Sequence, residues 1–184
     1  TGLRDYFQKL GFKKATLGLS GGIDSALTLA IAADALGPEN LIPILLPSQF
    51  SSSHSISDSI DLCNNLNCNY HQIEIESIFD KFLNQLGPLF KGTEFDLTEE
   101  NIQSRIRGTL LMAYSNKFGA ILLNTSNKSE IAVGYGTLYG DMAGGFDVLK
   151  DVYKSQVYNL ASYRNRLEDT PVIPERVITR PPSA

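Results

Sequence analysis

Two serines, two glycines and a carboxylate lie within six residues in Ser20-Gly21-Gly22-Ile23-Asp24-Ser25, early in a chain of 184 residues. Gly21 and Gly22 permit positive φ and close approach of the backbone to a ligand. A helix opening at Ile23 turns its free N–H groups and the positive end of its dipole toward the turn. The Ser20 and Ser25 hydroxyls add donors. Such a turn holds an anion, and a phosphate group is the obvious occupant. The segment lacks the Gly-Lys-Ser/Thr ending of a Walker A loop and the spacing of a GxGxxG dinucleotide turn. A glycine turn closed tightly for packing alone would read the same way. Asp24 is harder to reconcile with a phosphate. The helix dipole accounts for it as a first-turn acid. Beside a phosphate cradle, however, it calls for a cation, and Mg²⁺ is held by one or two carboxylates together with phosphate oxygens. Glu130, one turn into a later helix, is the candidate second carboxylate.

The elements that must position these groups alternate along the chain. Leu3–Phe12 reads as a short amphipathic helix and 15–20 as the first strand. Helix 23–36 carries Ile23, Leu27, Ala30 and Ile31 as an inward stripe and stops at Gly37-Pro38. The apolar run 41–47 suits a strand buried on both faces. Helix 54–67 follows, then an alternating strand at 70–75 and a helix over 76–86 that ends at Gly87-Pro88. After a loop, helix 98–119 opens with a capping-box pattern at Thr98, with Glu100 or Asn101 near. Strand four spans 120–125 and a short helix 127–134. Residues 135–147 are glycine-rich and read as a loop. The last helix is 154–167, and prolines at 171, 174, 181 and 182 mark the tail. This alternation predicts a parallel sheet with helices on both faces. Ligands of such sheets sit at the carboxyl ends of the strands, where strand order reverses. Ser20–Ser25, Pro47–Ser53 and Thr125–Glu130 all fall at strand ends.

Composition narrows the partners. The net charge of −4 favours no broad nucleic-acid or membrane-surface footprint, so an anionic ligand must be held by local groups. No apolar run reaches the ~18 residues of a membrane span, and the first residues lack the apolar core of a signal peptide. Cys63 and Cys68 read as reduced thiols, Cys63 on the inner face of its helix. Neither His54 nor His71 stands at a ligand-like spacing from them. A cytoplasmic location is expected.

The loop SGGIDS resembles the pyrophosphate loop of the ATP pyrophosphatases. The stretches LTEENIQSRIRGTLLMAYSNKFG, NTSNKSEIAVGYGTLYGDMAGGFDVLKDVYKSQVYNLASYRN and VIPERVITRPPSA resemble the synthetase domain of the NAD synthetase family, in wording nearer the glutamine-dependent than the ammonia-dependent form. The likeness covers nearly the whole chain, and the second stretch is its most specific part. It implies a three-layer α/β/α sandwich on a five-stranded parallel sheet, Rossmann-like, of the adenine nucleotide alpha-hydrolase type. It implies that the carboxylate of deamido-NAD attacks the α-phosphorus of ATP, and that ammonia then converts the adenylate to NAD and AMP. Positioning and charge stabilisation carry such chemistry, and no side-chain nucleophile is assigned.

By position, the resemblance gives ATP the segment Gly18, Leu19, Ser20, Gly21, Gly22, Ile23, Asp24 and Ser25, with Thr125 and Lys154. It gives Mg²⁺ the carboxylates Asp24 and Glu130. It gives deamido-NAD Asn101, Arg105, Glu130 and Asp141. Asn101 and Arg105 stand i, i+4 on one helix face with Gly108 at i+7, a spacing any amphipathic helix also produces. Lys154 alone would be a solvated lysine at a helix start, and Asp141 a turn aspartate.

Two departures stand out. Leu138 occupies a segment where the smaller family form has a basic residue. The chain also ends before the family's acidic and helical C-terminal region and shows nothing like its glutaminase domain, so residues 1–184 are expected to be a single domain of a larger protein. A homodimer is the family's habit, and the apolar and aromatic helix 98–118 is the expected place of contact. The alternatives are another ATP-pyrophosphatase ligase or a non-catalytic ATP-binding module. The pair Asp24 and Glu130 separates the last of these, since a sensor needs no two carboxylates around its phosphates.

Overall fold

The computed structural model describes residues 1–180; Pro181 and Pro182 of the tail lie outside them. Helix α1 (Gly2–Leu10) leads into β1 (Lys14–Gly18), α2 (Ile23–Leu36) and β2 (Leu41–Leu45). Next come α3 (Ser53–Asn65), β3 (His71–Gln72), α4 (Glu76–Leu86) and α5 (Leu97–Phe118). The chain then forms β4 (Ala120–Asn127), α6 (Lys128–Ala132), β5 (Phe146–Leu149), α7 (Lys154–Asn165) and α8 (Glu175–Thr179). The strands lie in the order β3-β2-β1-β4-β5, and every pairing is parallel. From β1 the chain winds outward to β3, then returns to the other side of β1 for β4. Strand order therefore reverses between β1 and β4, which opens a crevice at their carboxyl ends.

The sheet is covered on both faces, as its apolar strands require. Leu17 and Ala15 of β1 are fully buried, and burying a leucine of this kind contributes about 1.5–3 kcal/mol. On one face α1, α2, α3, α7 and α8 share a core that includes Phe7, Leu27, Cys63, Val157 and Val177. On the other, Phe79 of α4 and Ile102 and Ile106 of α5 meet Ile44 and Leu46. Among the described residues no helix is long and apolar enough to cross a membrane.

Three local expectations need correction. The alternation over 70–75 shrinks to a two-residue strand. Ile73 and Ile75 still donate to Leu45 and Pro47 at 2.9 and 3.0 Å, but Pro47 has no N–H with which to extend the ladder. The expected loop 135–147 contains the start of β5, which pairs Phe146 with Leu123 and Asp147 with Asn124. Four residues behind two glycines are too few to show a period. The cap of α5 is Asp96, not Thr98: its carboxylate accepts from the Thr98 N–H at 2.7 Å, and its own N–H donates to Glu99 at 2.9 Å. A carboxylate makes the stronger, charge-assisted bond, and that bond lowers the Asp96 pKa.

Candidate functional site

Gly21 sits at φ 77°, in the left-handed region, and Gly22 is the extended residue before α2. A Cβ on Gly21 would stand 2.4 Å from the Ser55 carbonyl oxygen, so α3 holds the turn against β1. The turn satisfies its own polar groups. The Gly22 N–H donates to the Ser20 hydroxyl at 3.2 Å, the Ser25 hydroxyl donates to the Gly22 carbonyl at 3.0 Å, and the two hydroxyls meet at 3.1 Å. Only one glycine, rather than two, uses positive φ. The side chains of Leu19 and Ile23 are buried in the core, so what these two residues offer a ligand is backbone.

A cleft of about 450 Å³ opens beside the turn. Gly18, Leu19, Ser20, Thr125 and Asp141 line it, together with Arg107. Thr125 lies inside β4 rather than after it, because that strand continues to Asn127. Beyond the cleft, the acids and the lysine converge. Lys154 forms an ion pair with Asp24. Asn127, wholly buried, donates from its side chain to Asp24 at 2.9 Å. The same residue caps α6: its side chain accepts from the Glu130 N–H at 3.1 Å, and its N–H donates to the Glu130 carboxylate at 3.2 Å. One asparagine thus ties both carboxylates into a single patch. Burial pushes the Glu130 carboxyl up, opposed by its bond from Asn127. The negative charges of Asp24 and Asp141 push it further up, and Lys154 opposes them.

Mg²⁺ fits this donor set. Asp24 and Glu130, joined through Asn127, offer two carboxylates, the number Mg²⁺ commonly takes from a protein. Among the described residues no three His, Cys, Asp or Glu side chains are grouped closely enough to hold a metal ion. An ion there would draw its other ligands from water and phosphate, the usual habit of Mg²⁺.

Asn101, Arg105 and Asp141 gather at a second place, the loop between α6 and β5. Asn101 accepts from the Thr137 hydroxyl at 2.7 Å, and Arg105 donates to the Leu138 carbonyl at 3.2 Å. The Asp141 carboxylate accepts from the Thr137 N–H at 2.7 Å, and its own N–H donates to the Ser104 hydroxyl at 3.0 Å. Asn124 donates to the carbonyls of Asp141 and Ala143. Gly108 is where this loop crosses α5, since a Cβ there would be 2.8 Å from the Gly140 carbonyl oxygen.

Two residues escaped the sequence reading. The pattern Asn127-Lys-Ser-Glu130 is itself a capping box and was legible as one. Arg107 carried no comparable signal. Its guanidinium donates to the Leu46 carbonyl at 3.0 Å and to Ser48 at 3.3 Å, and burial lowers its pKa. Among the described residues no carboxylate pairs with it. A desolvated cation in a cleft favours an anionic or π-rich ligand.

The comparisons with known proteins agree with this geometry. A model of the NAD synthase family matches residues 1–184. The chain is 57% identical over 181 residues to the glutamine-dependent NAD(+) synthetase of Acinetobacter baylyi, covering 98% of this chain and 34% of that protein. A solved glutamine-dependent NAD+ synthetase from Acinetobacter baumannii, in complex with ADP, superposes with a TM-score of 0.95 at 55% identity, over 98% of this chain and 34% of that one. The NH3-dependent NAD synthetase of Campylobacter jejuni superposes with a TM-score of 0.85 at 37% identity, over 97% and 72%. The chain spans about a third of the length of the glutamine-dependent relatives it matches.

Proposed function

This chain belongs to the NAD synthase family, and from that premise we propose that its cleft binds ATP and deamido-NAD and joins ammonia to the latter. The carboxylate of the nicotinate attacks the α-phosphorus, pyrophosphate leaves with the electron pair of the broken P–O bond, and an acyl adenylate remains. Ammonia then attacks the acyl carbon, AMP departs and NAD is formed with loss of a proton. The observation that carries this reading is the joining of Asp24, Asn127, Glu130 and Lys154 into one patch beside the glycine turn.

Each group has a task that follows from its position. The turn presents backbone N–H groups to the phosphates once they replace Ser20 as acceptor. Lys154 has its charge held beside Asp24, within reach of the same phosphates. Asp24 and Glu130 are the residues that would hold Mg²⁺, whose charge would offset that of the polyphosphate. Asn101, Arg105 and Asp141 bind deamido-NAD beneath the loop between α6 and β5. Arg107 faces the nucleotide from the end of β2. Ammonia as nitrogen donor is supported by relatives named NH3-dependent and glutamine-dependent. A homodimer contact on α5 is supported by the exposed Phe118, whose ring lies tilted against Tyr114 at 4.5 Å.

The test is a product assay with Mg-ATP, deamido-NAD and excess ammonium. NAD, AMP and pyrophosphate formed in step are expected. ADP and phosphate would refute the reading of the turn, and ATP binding without turnover would favour a non-catalytic module.

A further inference from the structure

Two arginines four residues apart, Arg176 in the first turn of α8 and Arg180 at its C-terminal cap, behave differently. Arg176 makes three contacts of 2.6–3.1 Å with Asp58 of α3, a carboxylate only 2% exposed. It also donates to Ser57 at 3.0 Å. Its charge is fully matched, and its work is to fasten α8 to α3. Arg180 has no such partner among the described residues. Half-buried, it donates at 3.3 Å to the Gly21 carbonyl and at 3.3 Å to the Ser55 hydroxyl. Ser55 is a wall of the nucleotide cleft.

The acceptor on Gly21 is informative. The Gly21 carbonyl and the Gly22 N–H belong to one planar trans peptide and point in opposite directions. A donor on that oxygen fixes the direction of the N–H. Here the N–H points to Ser20, on the cleft side. Without a donor on the oxygen, a glycine-glycine peptide rotates at little steric cost. The Ser55 backbone limits the same turn from the side of its Cα. Arg180 thus completes the turn's boundary, and it brings a positive charge that no carboxylate among the described residues matches to the place where a polyphosphate would sit.

We propose that Arg180 is a positioning residue for the phosphate turn, holding the Gly21–Gly22 peptide with its N–H toward the cleft and adding the charge that favours a bound pyrophosphate group. The assignment rests on the ATP reading given above. It makes α8 part of the nucleotide site, with Arg176 as its anchor and Arg180 as its working end.

Calorimetry with inorganic pyrophosphate and Mg²⁺ reads the proposal without requiring turnover. Arg180→Met is expected to weaken pyrophosphate binding about tenfold or more, the size of one lost charge-assisted contact. The KM for ATP should rise in parallel, while the KM for deamido-NAD and the melting temperature stay near those of the parent. Arg180→Lys should recover part of the affinity, because it restores charge without the two-pronged geometry. Arg176→Met should instead lower the melting temperature. Unchanged pyrophosphate affinity in Arg180→Met would overturn the proposal. So would a joint rise in both KM values with a fall in melting temperature, which marks a merely structural role. A parent protein that binds pyrophosphate but forms no NAD would refute the ligase reading and leave the Arg180 comparison decided by its own binding data.

Discussion

The chain has two glycine-rich turns at its site, and they are held in opposite ways. The turn at 20–25 is braced by α3 and by its own hydrogen bonds, with Ser20 facing the cleft. Ser55 leaves no room for a Cβ on Gly21, and its hydroxyls and amides bond one another. The segment 134–145 is held by the side chains of Asn124, Ser104, Asn101 and Arg105 and, at its end, by the Gly145 N–H on the Leu122 carbonyl. Between those pins it exposes large apolar side chains. Tyr139 is 85% exposed and sits at φ 63°, a conformation costly for a residue with a Cβ. The first turn is built to present fixed donors. The second leaves large side chains open to solvent between its pins, the form expected of a segment that would close over a substrate. Glycine content alone does not distinguish a rigid cradle from a cover. What the glycines touch does.

The largest effect should come from Gly21→Ala. The new Cβ meets backbone, which cannot swing aside, and the residue is strained at its φ. Displacing the turn by about an ångström should lower kcat/KM by about a hundredfold. Activity within twofold of the parent would mean that the first turn is not rigid. Asp24→Asn keeps size and the contact with Asn127 but leaves Lys154 without its partner. We expect turnover to fall about ten- to a hundredfold at fixed Mg²⁺, with the circular dichroism spectrum unchanged. Retained activity would remove Asp24 from the metal assignment.

Gly108→Ala tests the second turn. Its Cβ would press on the Gly140 and Tyr139 carbonyls, so the loop must shift. A gain in helix propensity of about 1 kcal/mol offsets only part of a packing cost of about 1–3 kcal/mol, so the melting temperature should fall by a few degrees at most. The KM for deamido-NAD should rise severalfold while that for ATP holds. Equal changes in both would dissolve the distinction between the two turns.

The smallest effect is chemical. Cys63, on the inner face of α3, has its thiol pushed up to about 12 by burial and then by Cys68. Burial, then Glu39, pushes Cys68 up to about 11. In the unfolded chain a thiol loses its proton near about pH 8.5. The folded state keeps protons that the unfolded state sheds, so stability is full below that pH and falls as pH rises toward 11 and 12. Melting temperature should therefore drop between about pH 8 and pH 10. Alkylation at neutral pH should be slow, since α3 must open first, whereas limited proteolysis should cut first within 134–145. Fast alkylation would show that α3 does not brace the first turn.

Much of this was legible along the chain. The first turn is a local object, a buried strand, two small residues and a helix start, and each part has its own signal over a few residues. The two-faced burial of β2 and the stop of α2 at Gly37 were legible for the same reason. The short β3 and β5 were not, because a two- or four-residue strand is defined by its neighbour's hydrogen bonds and not by its own period. Asp24 and Glu130 were paired by the need for a second carboxylate at a strand end and by resemblance, not by any local pattern. Their meeting depends on Asn127, 103 residues from Asp24, and no local pattern reports such a distance.

Arg105 and Arg107 mark the boundary. They stand two residues apart on one helix, hence on roughly opposite sides of it. By type and spacing they are alike. Sequence alone determined that this chain forms alternating strands and helices with a glycine turn between its first strand and the next helix, since those features follow from side-chain size, period and backbone freedom over short spans. Only the tertiary structure decided that Arg105 reaches the Leu138 loop while Arg107 enters the cleft at the end of β2, and that Arg180 closes the turn from α8. Those outcomes depend on which elements the sheet brings side by side, and the sheet is assembled from contacts distant in the chain.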